Sequence, residues 1–479
     1  MPQLPDAQLL DRAMRARYGF CRMGSVSVAG NSLVESILFN RLLGMHGRVP
    51  LAYELIYEFV IAAAVVVPFV LTLAMMCIWM ERKVAGHMQS RIGPNRVGPI
   101  GLLQSMADGI KLILKEDLCP DAADSLLFRL APYLAFAPVF AAFLAMPFGP
   151  EFTFEPRLSV GVFWVLAILS VEVMGVILAG WSSNNKWSVY GAMREACQMV
   201  SYEIPLGLSI LVGVMSAGTL NLVTLGNLQS GGIHTWLVCR NPFCFAAFFI
   251  YFIASLASTK RAPFDLPESE SELVAGYHTE YSGMRFAFFF FADYAAMFVV
   301  GGIQAGLFFG SWNDPLGLVG YFHQRFITNG NQIGLLIVNL VAANIFISKA
   351  MLIIFLQMWL RWTLPRPRID QVLYACVKVL LPLSCVLLLG AAAWGLLIES
   401  RSGVPWVDYN PWKFADWQHT PEGGALAGLV TQIILSLVII TSFTAVLGWV
   451  GYAAMNAGTV KKRLTDPANI VMPGRAAHQ

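Results

Sequence analysis

"EFVIAAAVVVPFVLTLAMMCIWMERK", residues 58–83, decides the fold class. The 58–80 part is apolar after its first residue and long enough, as a helix, to cross a hydrocarbon core of roughly 30 Å. Charge returns at Glu81, Arg82 and Lys83, where such a helix would leave the bilayer. Similar runs follow at 130–148, 160–181, 197–218, 243–259, 285–310, 333–360, 372–397 and 425–453. The 479-residue chain is 57% hydrophobic and only 13% charged, with a mean hydropathy of +0.62. A soluble chain carries about 25% charge. The expected fold is therefore an all-α polytopic membrane protein with about nine transmembrane helices. The long alternating segments of a β-barrel are missing. The organisation reads as an N-terminal arm over 1–57, a membrane core of eight spans over 58–397, and a C-terminal extension over 398–479. That extension holds a ninth span and a basic tail, "KKRLTD".

Charge in the loops orients the chain. Alternate loops carry Arg82, Lys83, Arg91, Arg96, Lys111, Lys115, Lys186, Arg194, Lys260, Arg261, Arg361, Arg366 and Arg368, whereas the opposite loops are poor in basic residues. The positive-inside rule places the first set in the cytoplasm, with the N-terminus outside and the C-terminus inside. The arm breaks this rule with Arg12, Arg15, Arg17 and Arg22. It is either an unusual outer arm or precedes a true start further on, such as Met45. The eight cysteines form no C-x-x-C pair, and no His lies at a ligand spacing, so no iron–sulfur or zinc site is signalled. Cys239 and Cys244 read either as an outer-side pair or as two unrelated thiols. Glycine-rich nucleotide motifs are missing, and nothing marks nucleic acid as a partner. Any redox group belongs to a partner or arrives as a lipid-soluble substrate, and this chain alone binds no cofactor.

The cytoplasmic loops carry the chemistry. In the first, Gly93-Pro94-Asn95 and Gly98-Pro99 break helix, and Leu102, Leu103, Met106, Ile110, Ile113 and Leu114 then recur at three- and four-residue steps. Gln104, Asp108, Lys111 and Lys115 take the other face. This is an amphipathic helix that lies in the interface, either as a lipid anchor or as the wall of a lateral opening. Glu172 and Glu203 are ionisable residues inside spans, which marks them as functional candidates. They read as members of one buried polar chain, or as acids paired with nearby bases. "RAPFDLPESESELVAGYHTEY", residues 261–281, gathers Asp265, Glu268, Glu270, Glu272 and Glu280. Glu268 and Glu272, four apart, would share a helix face, and like charges crowded near low dielectric raise each other's pKa. The alternative is a solvated acidic loop. "RWTLPRPRIDQ" offers Arg361, Arg366 and Arg368 as a stiff basic clamp or as a topology signal.

With "ERKVAGHMQSRIGPNRVGPIGLLQSMADGIKLILKE", "GAMREACQMVSYE", the 261–281 stretch and "RWTLPRPRIDQ" in this order, the chain resembles the family of H subunits of proton-pumping NADH-quinone oxidoreductase, known as subunit 1 in mitochondrial complex I. The resemblance covers roughly 75–397. It implies a membrane subunit without a redox centre or catalytic residue of its own, forming part of a ubiquinone or menaquinone chamber. Arg82, Met106, Asp108, Arg361, Arg366 and Arg368 would line the quinone channel or its seal. Glu172, Glu203, Glu268, Glu270, Glu272, Glu280 and Asp293 would form the path that couples quinone reduction to proton translocation. The implied partners are the peripheral-arm quinone-site and iron–sulfur subunits, adjacent small membrane subunits and lipid. The implied location is the cell inner membrane, or the inner mitochondrial membrane in an organelle.

The chain departs from the family pattern in four places. Ser258 and Lys260 stand where Glu and Asn are common, Ser269 follows Glu268 in place of Gly or Ala, and Asp293 replaces a Glu. Lys260 adds a positive charge beside the acidic path. Two rival readings are the membrane subunit of an energy-converting hydrogenase and an ion-coupled secondary transporter. The latter lacks support from any internal repeat.

Overall fold

A computed structural model describes residues 51–153, 158–329 and 332–402. The arm before 51, the span expected at 425–453 and the basic tail lie outside the described residues. Among those described, every regular element is helical.

Ten helices carry the architecture of the described residues. They are α1 (Leu51–Met88), α2 (Gln104–Leu114), α3 (Ser125–Phe143), α4 (Gly161–Ser182), α5 (Lys186–Ala217), α6 (Pro242–Ser258), α7 (Gly283–Phe308), α8 (Leu318–Thr328), α9 (Gln332–Thr363) and α10. The last begins at Ile369–Tyr374, passes through one π-helical stretch at Ala375–Leu380 and continues as Leu381–Ser402. Seven helices (α1, α3, α4, α5, α7, α9 and α10) are long and apolar enough to cross a membrane, and α6 is a shorter apolar helix. These eight correspond to the eight spans read from the core sequence.

The fourth span differs from its expected bounds. Its apolar run starts near 197, but α5 starts at Lys186, because Asn185 caps it by accepting a hydrogen bond from the Trp187 amide. Nothing in 186–196 breaks a helix, so Arg194 and Glu195 ride on the helix rather than in a loop. Pro205 stays inside α5 without ending it. In the same way Asp124 caps α3 through the amides of Leu126 and Leu127. Cys239 and Cys244 are free thiols, and Cys244 Sγ lies 3.1 Å from Ser216 Oγ.

The helices pack around α7. Its most apolar stretch is 78% buried, against 28–56% for the other spanning helices, so α7 is the central post. Helix α3 packs along α4, α4 against α5, and α5 against both α6 and α10, while α7 meets α3 and α9. Phe69, Phe143, Phe148, Phe298 and Phe346 interlock between α1, α3, α7 and α9, with Phe143 and Phe298 stacked at 5.7 Å. The outer faces keep large apolar side chains exposed, including Phe163, Trp181, Val200, Leu352 and Leu389. A lipid-facing surface requires this, since helices in a bilayer bury little apolar area from water.

Candidate functional site

The site lies where the 259–282 connection between α6 and α7 folds back against α4, α5 and α1. Pro263 and Pro267 prevent a continuous helix, and only Glu270–Leu273 makes a helical turn before Val274 takes a positive φ of 65°. A short 3-10 turn, Gly276–His278, then packs on α5. Gly276 has φ 57°, and a Cβ there would lie 1.8 Å from the Pro267 carbonyl oxygen. Only glycine fits that turn. A Cβ at Gly191 would likewise meet the Tyr277 amide at 2.8 Å, so α5 and the turn touch backbone to backbone.

Two consecutive cations organise what lies inside. Lys260, 4% exposed, places Nζ 3.0 Å from Glu172 Oε1, 3.2 Å from Asp293 Oδ1 and 3.8 Å from Glu195 Oε1. Burial disfavours its ammonium, but Asp293, Glu172, Glu195 and Glu268 more than reverse this and hold its pKa well above the ordinary lysine value. Arg261 turns the other way. Its Nη1 lies 3.5 Å from Glu81 Oε2, and its guanidinium sits 4.2 Å from the centre of the Tyr294 ring. Glu81 also pairs with Arg361 and accepts a 2.5 Å hydrogen bond from the Tyr294 hydroxyl. This buried knot ties the end of α1 to α7, α9 and the connection.

The acids of 261–281 separate rather than share a face. Glu268 turns inward, where Glu268 Oε1 lies 3.0 Å from His278 Nε2 and accepts from the Tyr277 hydroxyl at 2.9 Å. Burial opposes its ionisation, but His278, Lys260 and Arg261 outweigh this and bring its pKa down to about 2. The upward shift expected from crowded like charges is thus reversed, because the nearest groups are cations and donors. Glu272 points outward and meets Arg194 at 2.6 Å. The expected shared face fails because the backbone between 268 and 272 is not one helix. Glu280 accepts from Asn185 at 2.6 Å, beside the start of α5. The Glu270 side chain lies outside the described residues.

Asp265 pairs with Arg366 at 3.1 Å. Burial and the charge of Glu268 push its pKa up to about 7 despite Arg366 and Arg261. Glu203 does not join Glu172. It lies on the exposed side of α5, where it accepts a hydrogen bond from Ser170 of α4. Arg368 is exposed at the start of α10, apart from the Glu81 knot.

Helix α2 keeps its expected amphipathic form. Arg82, near the end of α1, reaches Asp108 at 2.5 Å, and Lys111 lies 3.6 Å from the same carboxylate. Burial opposes ionisation, yet the Arg82 bond and charge hold Asp108 below the usual carboxylate range. Leu103, Met106, Ile110 and Ile113 remain 43–65% exposed, an apolar face open to lipid or to an amphiphile.

Four members of the site read in the sequence without their partners. Glu81 reads as one end of a charged loop beside Arg82, Lys260 as a positive charge beside the acidic path, Glu195 as an acid at the inner end of the fourth span, and His278 as a residue without a role. Single buried partners many residues apart leave no local pattern. Glu268, His278 and Asp293 present ligand atoms within 4.8 Å of one another. Lys260 supplies a positive charge beside this trio, 3.2 Å from Asp293.

Comparison with known proteins places the chain in a family. The sequence profile of the NADH dehydrogenase family matches residues 60–392. The chain belongs to the NADH dehydrogenase family. Among its relatives, the NADH-quinone oxidoreductase H subunit of Chlorobium luteolum is 48% identical over 320 residues, 66% of this chain and 84% of that protein. The H subunit of Chlorobaculum parvum is 46% identical over 70% of this chain and 92% of that protein. The H subunit of Brevibacillus brevis is 44% identical over 68% and 90%. In this family member the ion network at Lys260 and Arg261 lies wholly inside the matched region.

Proposed function

We propose that this chain forms part of the quinone chamber of NADH-quinone oxidoreductase and carries the charged path that couples quinone reduction to proton translocation. The chain is a membrane subunit of that enzyme, with other subunits of the complex as partners and a quinone as substrate. The supporting observation is the buried knot of Glu81, Arg261, Arg361 and Tyr294, which shares one backbone turn with Lys260 and its carboxylates. Lys260 and Arg261 are successive residues, and Asp293 acts electrostatically on both of them, so a charge change beside Glu81 or Arg361 is felt by the Lys260 group. Between groups in close contact at low effective dielectric a unit charge acts with several kcal/mol, against about 1 kcal/mol in water at roughly 4 Å. The exposed apolar face of α2 and the Arg82–Asp108 pair behind it fit a lateral opening for an isoprenoid tail. The Arg366–Asp265 pair fits the seal against a peripheral-arm subunit.

The finer assignments belong to this reading. The substrate is ubiquinone or menaquinone, reduced near an iron–sulfur cluster held by peripheral-arm subunits. Small membrane subunits flank the bundle and continue the proton path, with Glu203 facing them. The membrane is the cell inner membrane, with the C-terminus cytoplasmic. The test is Arg366→Ala in the assembled complex. Quinone reduction should fall at least fivefold, while electron flow from NADH to an artificial acceptor upstream of the quinone stays within twofold. Equal loss of both would show that the arginine serves assembly alone.

A further inference from the structure

We propose that Lys260, Glu172, Glu195 and Asp293 form a proton-storing site, in which Lys260 fixes how many of the three carboxyls are ionised and Glu195 carries the stored proton. This rests on the coupling role proposed above and names the group that holds the charge.

The argument starts from a charge count. One ammonium faces three carboxyl groups within 3.8 Å, on α4, α5 and α7. Full ionisation would leave two uncompensated negative charges among buried side chains. Buried unpaired charge is costly enough that such a group takes up a proton instead. The three carboxyls are not equivalent. Glu172 and Asp293 each receive a hydrogen bond from Lys260, at 3.0 and 3.2 Å. Glu195 is fully buried, stands 3.8 Å from the ammonium, and neither of its oxygens has a hydrogen-bond partner among the described residues. An ionised carboxylate needs donors and a neutral carboxyl needs far fewer. Glu195 is the member least able to hold a charge.

The other charged groups around the pocket are already engaged. From the connection, Glu268 is held by Tyr277 and His278, and Arg261 turns toward Glu81. The Tyr277 ring centre lies 5.8 Å from Lys260 Nζ and closes the pocket. A negative charge added near Arg261 raises the proton affinity of the whole set, so Glu172 or Asp293 takes up a second proton. Removal of that charge releases one. Lys260 is a positioning residue in this scheme, because it touches no substrate and stays charged throughout.

The test uses the whole enzyme in membranes, as wild type, Glu195→Gln, Lys260→Gln and Lys260→Arg. Infrared absorption of protonated carboxyl groups is compared between them. Glu195→Gln should lose one carboxylic-acid band that the wild type shows. Lys260→Gln should gain absorption there, because its three acids need more protons, and Lys260→Arg should resemble the wild type. Proton pumping per NADH oxidised should fall at least twofold in Glu195→Gln. Should Lys260→Gln fail to assemble, Glu195→Gln and Lys260→Arg decide the matter. Coincident spectra of wild type and Glu195→Gln would overturn the stored proton, even with quinone reduction intact. Absence of quinone reduction in the assembled wild type would instead overturn the function proposed above, and the infrared result would still report on Glu195.

Discussion

Glu81→Gln is the sharpest probe of the knot. The Glu81 side chain is 7% exposed and answers two guanidiniums, Arg361 in direct contact and Arg261 at 3.5 Å. At an effective dielectric near 20, the Arg261 attraction alone is about 5 kcal/mol before desolvation is counted. Desolvation offsets much of this, and removing one partner of a buried pair typically costs about 3–5 kcal/mol. Glutamine keeps the shape and can still accept from Tyr294, so the loss isolates charge. A cost of about 3 kcal/mol corresponds to roughly a hundredfold in a rate when it falls on the inactivation barrier. The assay is heat inactivation of NADH-driven quinone reduction in membranes, with NADH oxidation by an upstream acceptor as the internal control. Glu81→Gln should inactivate at least tenfold faster than wild type. Glu81→Gln combined with Arg361→Met removes both charges and should recover about 1 kcal/mol or more relative to the sum of the single changes. A double variant as unstable as that sum would show that Glu81 and Arg361 act independently.

Met106→Asp puts charge on the exposed apolar face of α2. It should raise the apparent KM for short-tail quinones severalfold with little change in kcat, and unchanged kinetics in the assembled complex would leave α2 an anchor. Asp265 has its pKa pushed up to about 7, so the folded protein binds a proton there that the unfolded chain, with an ordinary carboxyl near 4, has already lost. Stability contributed by this proton is present at low pH and falls as pH rises toward 7. Asp265→Asn should therefore gain on the wild type in thermal stability as pH rises from about 5 to 7.5. It should also lose any inflection near pH 7 in quinone reduction, which would mark the Arg366 ion pair forming. Identical pH profiles would rule that pair out as the titrating element. Glu268 differs, because its pKa of about 2 keeps it ionised at all working pH. Its contribution to stability is lost as pH falls from about 4.5, where the unfolded carboxyl protonates, through about 2.

Much of this architecture is legible in the sequence because hydropathy reports directly on bilayer crossing. Each apolar run of the core is a helix, and the three- and four-residue spacing from Leu103 to Ile113 is the amphipathic α2. Where polar residues continue a helix past its apolar run, hydropathy is blind. That is why the first turns of α5, over 186–197, read as a loop, with Glu195 in it rather than on the helix. Spacing also misleads within 268–272, since a four-residue interval means a shared face only where the backbone is helical. Pairing is the least legible layer. Glu81 meets Arg361 across 280 positions and Lys260 meets Glu172 across 88, and no local pattern in one sequence encodes either. An acidic path can be read along the chain, but its cationic centre becomes clear only in three dimensions.

The described carboxylates of 261–281 do not simply repel one another, because Asp265 meets Arg366, Glu268 meets His278, Glu272 meets Arg194 and Glu280 accepts from Asn185. The cationic centre next to them serves other acids. The residue that leaves α6 is Lys260, with a positive φ of 52°. For a non-glycine residue this conformation costs roughly 1–2 kcal/mol. It sends successive side chains to opposite sides of the turn. Lys260 then serves Glu172, Glu195 and Asp293 on α4, α5 and α7, while Arg261 serves Glu81 on α1 and the Tyr294 ring on α7. In an extended strand two successive side chains would also diverge, but the chain could not then turn back under α6 and keep both within reach. The strained residue therefore joins two buried ion clusters through a single peptide unit. Helix α7 contributes to both, through Asp293 and Tyr294, which are again consecutive. A change of charge in one cluster acts on the other through this pair, since Asp293 favours the charged form of both Lys260 and Arg261. The proposed coupling then needs no moving helix, only a change in which carboxyl holds the proton.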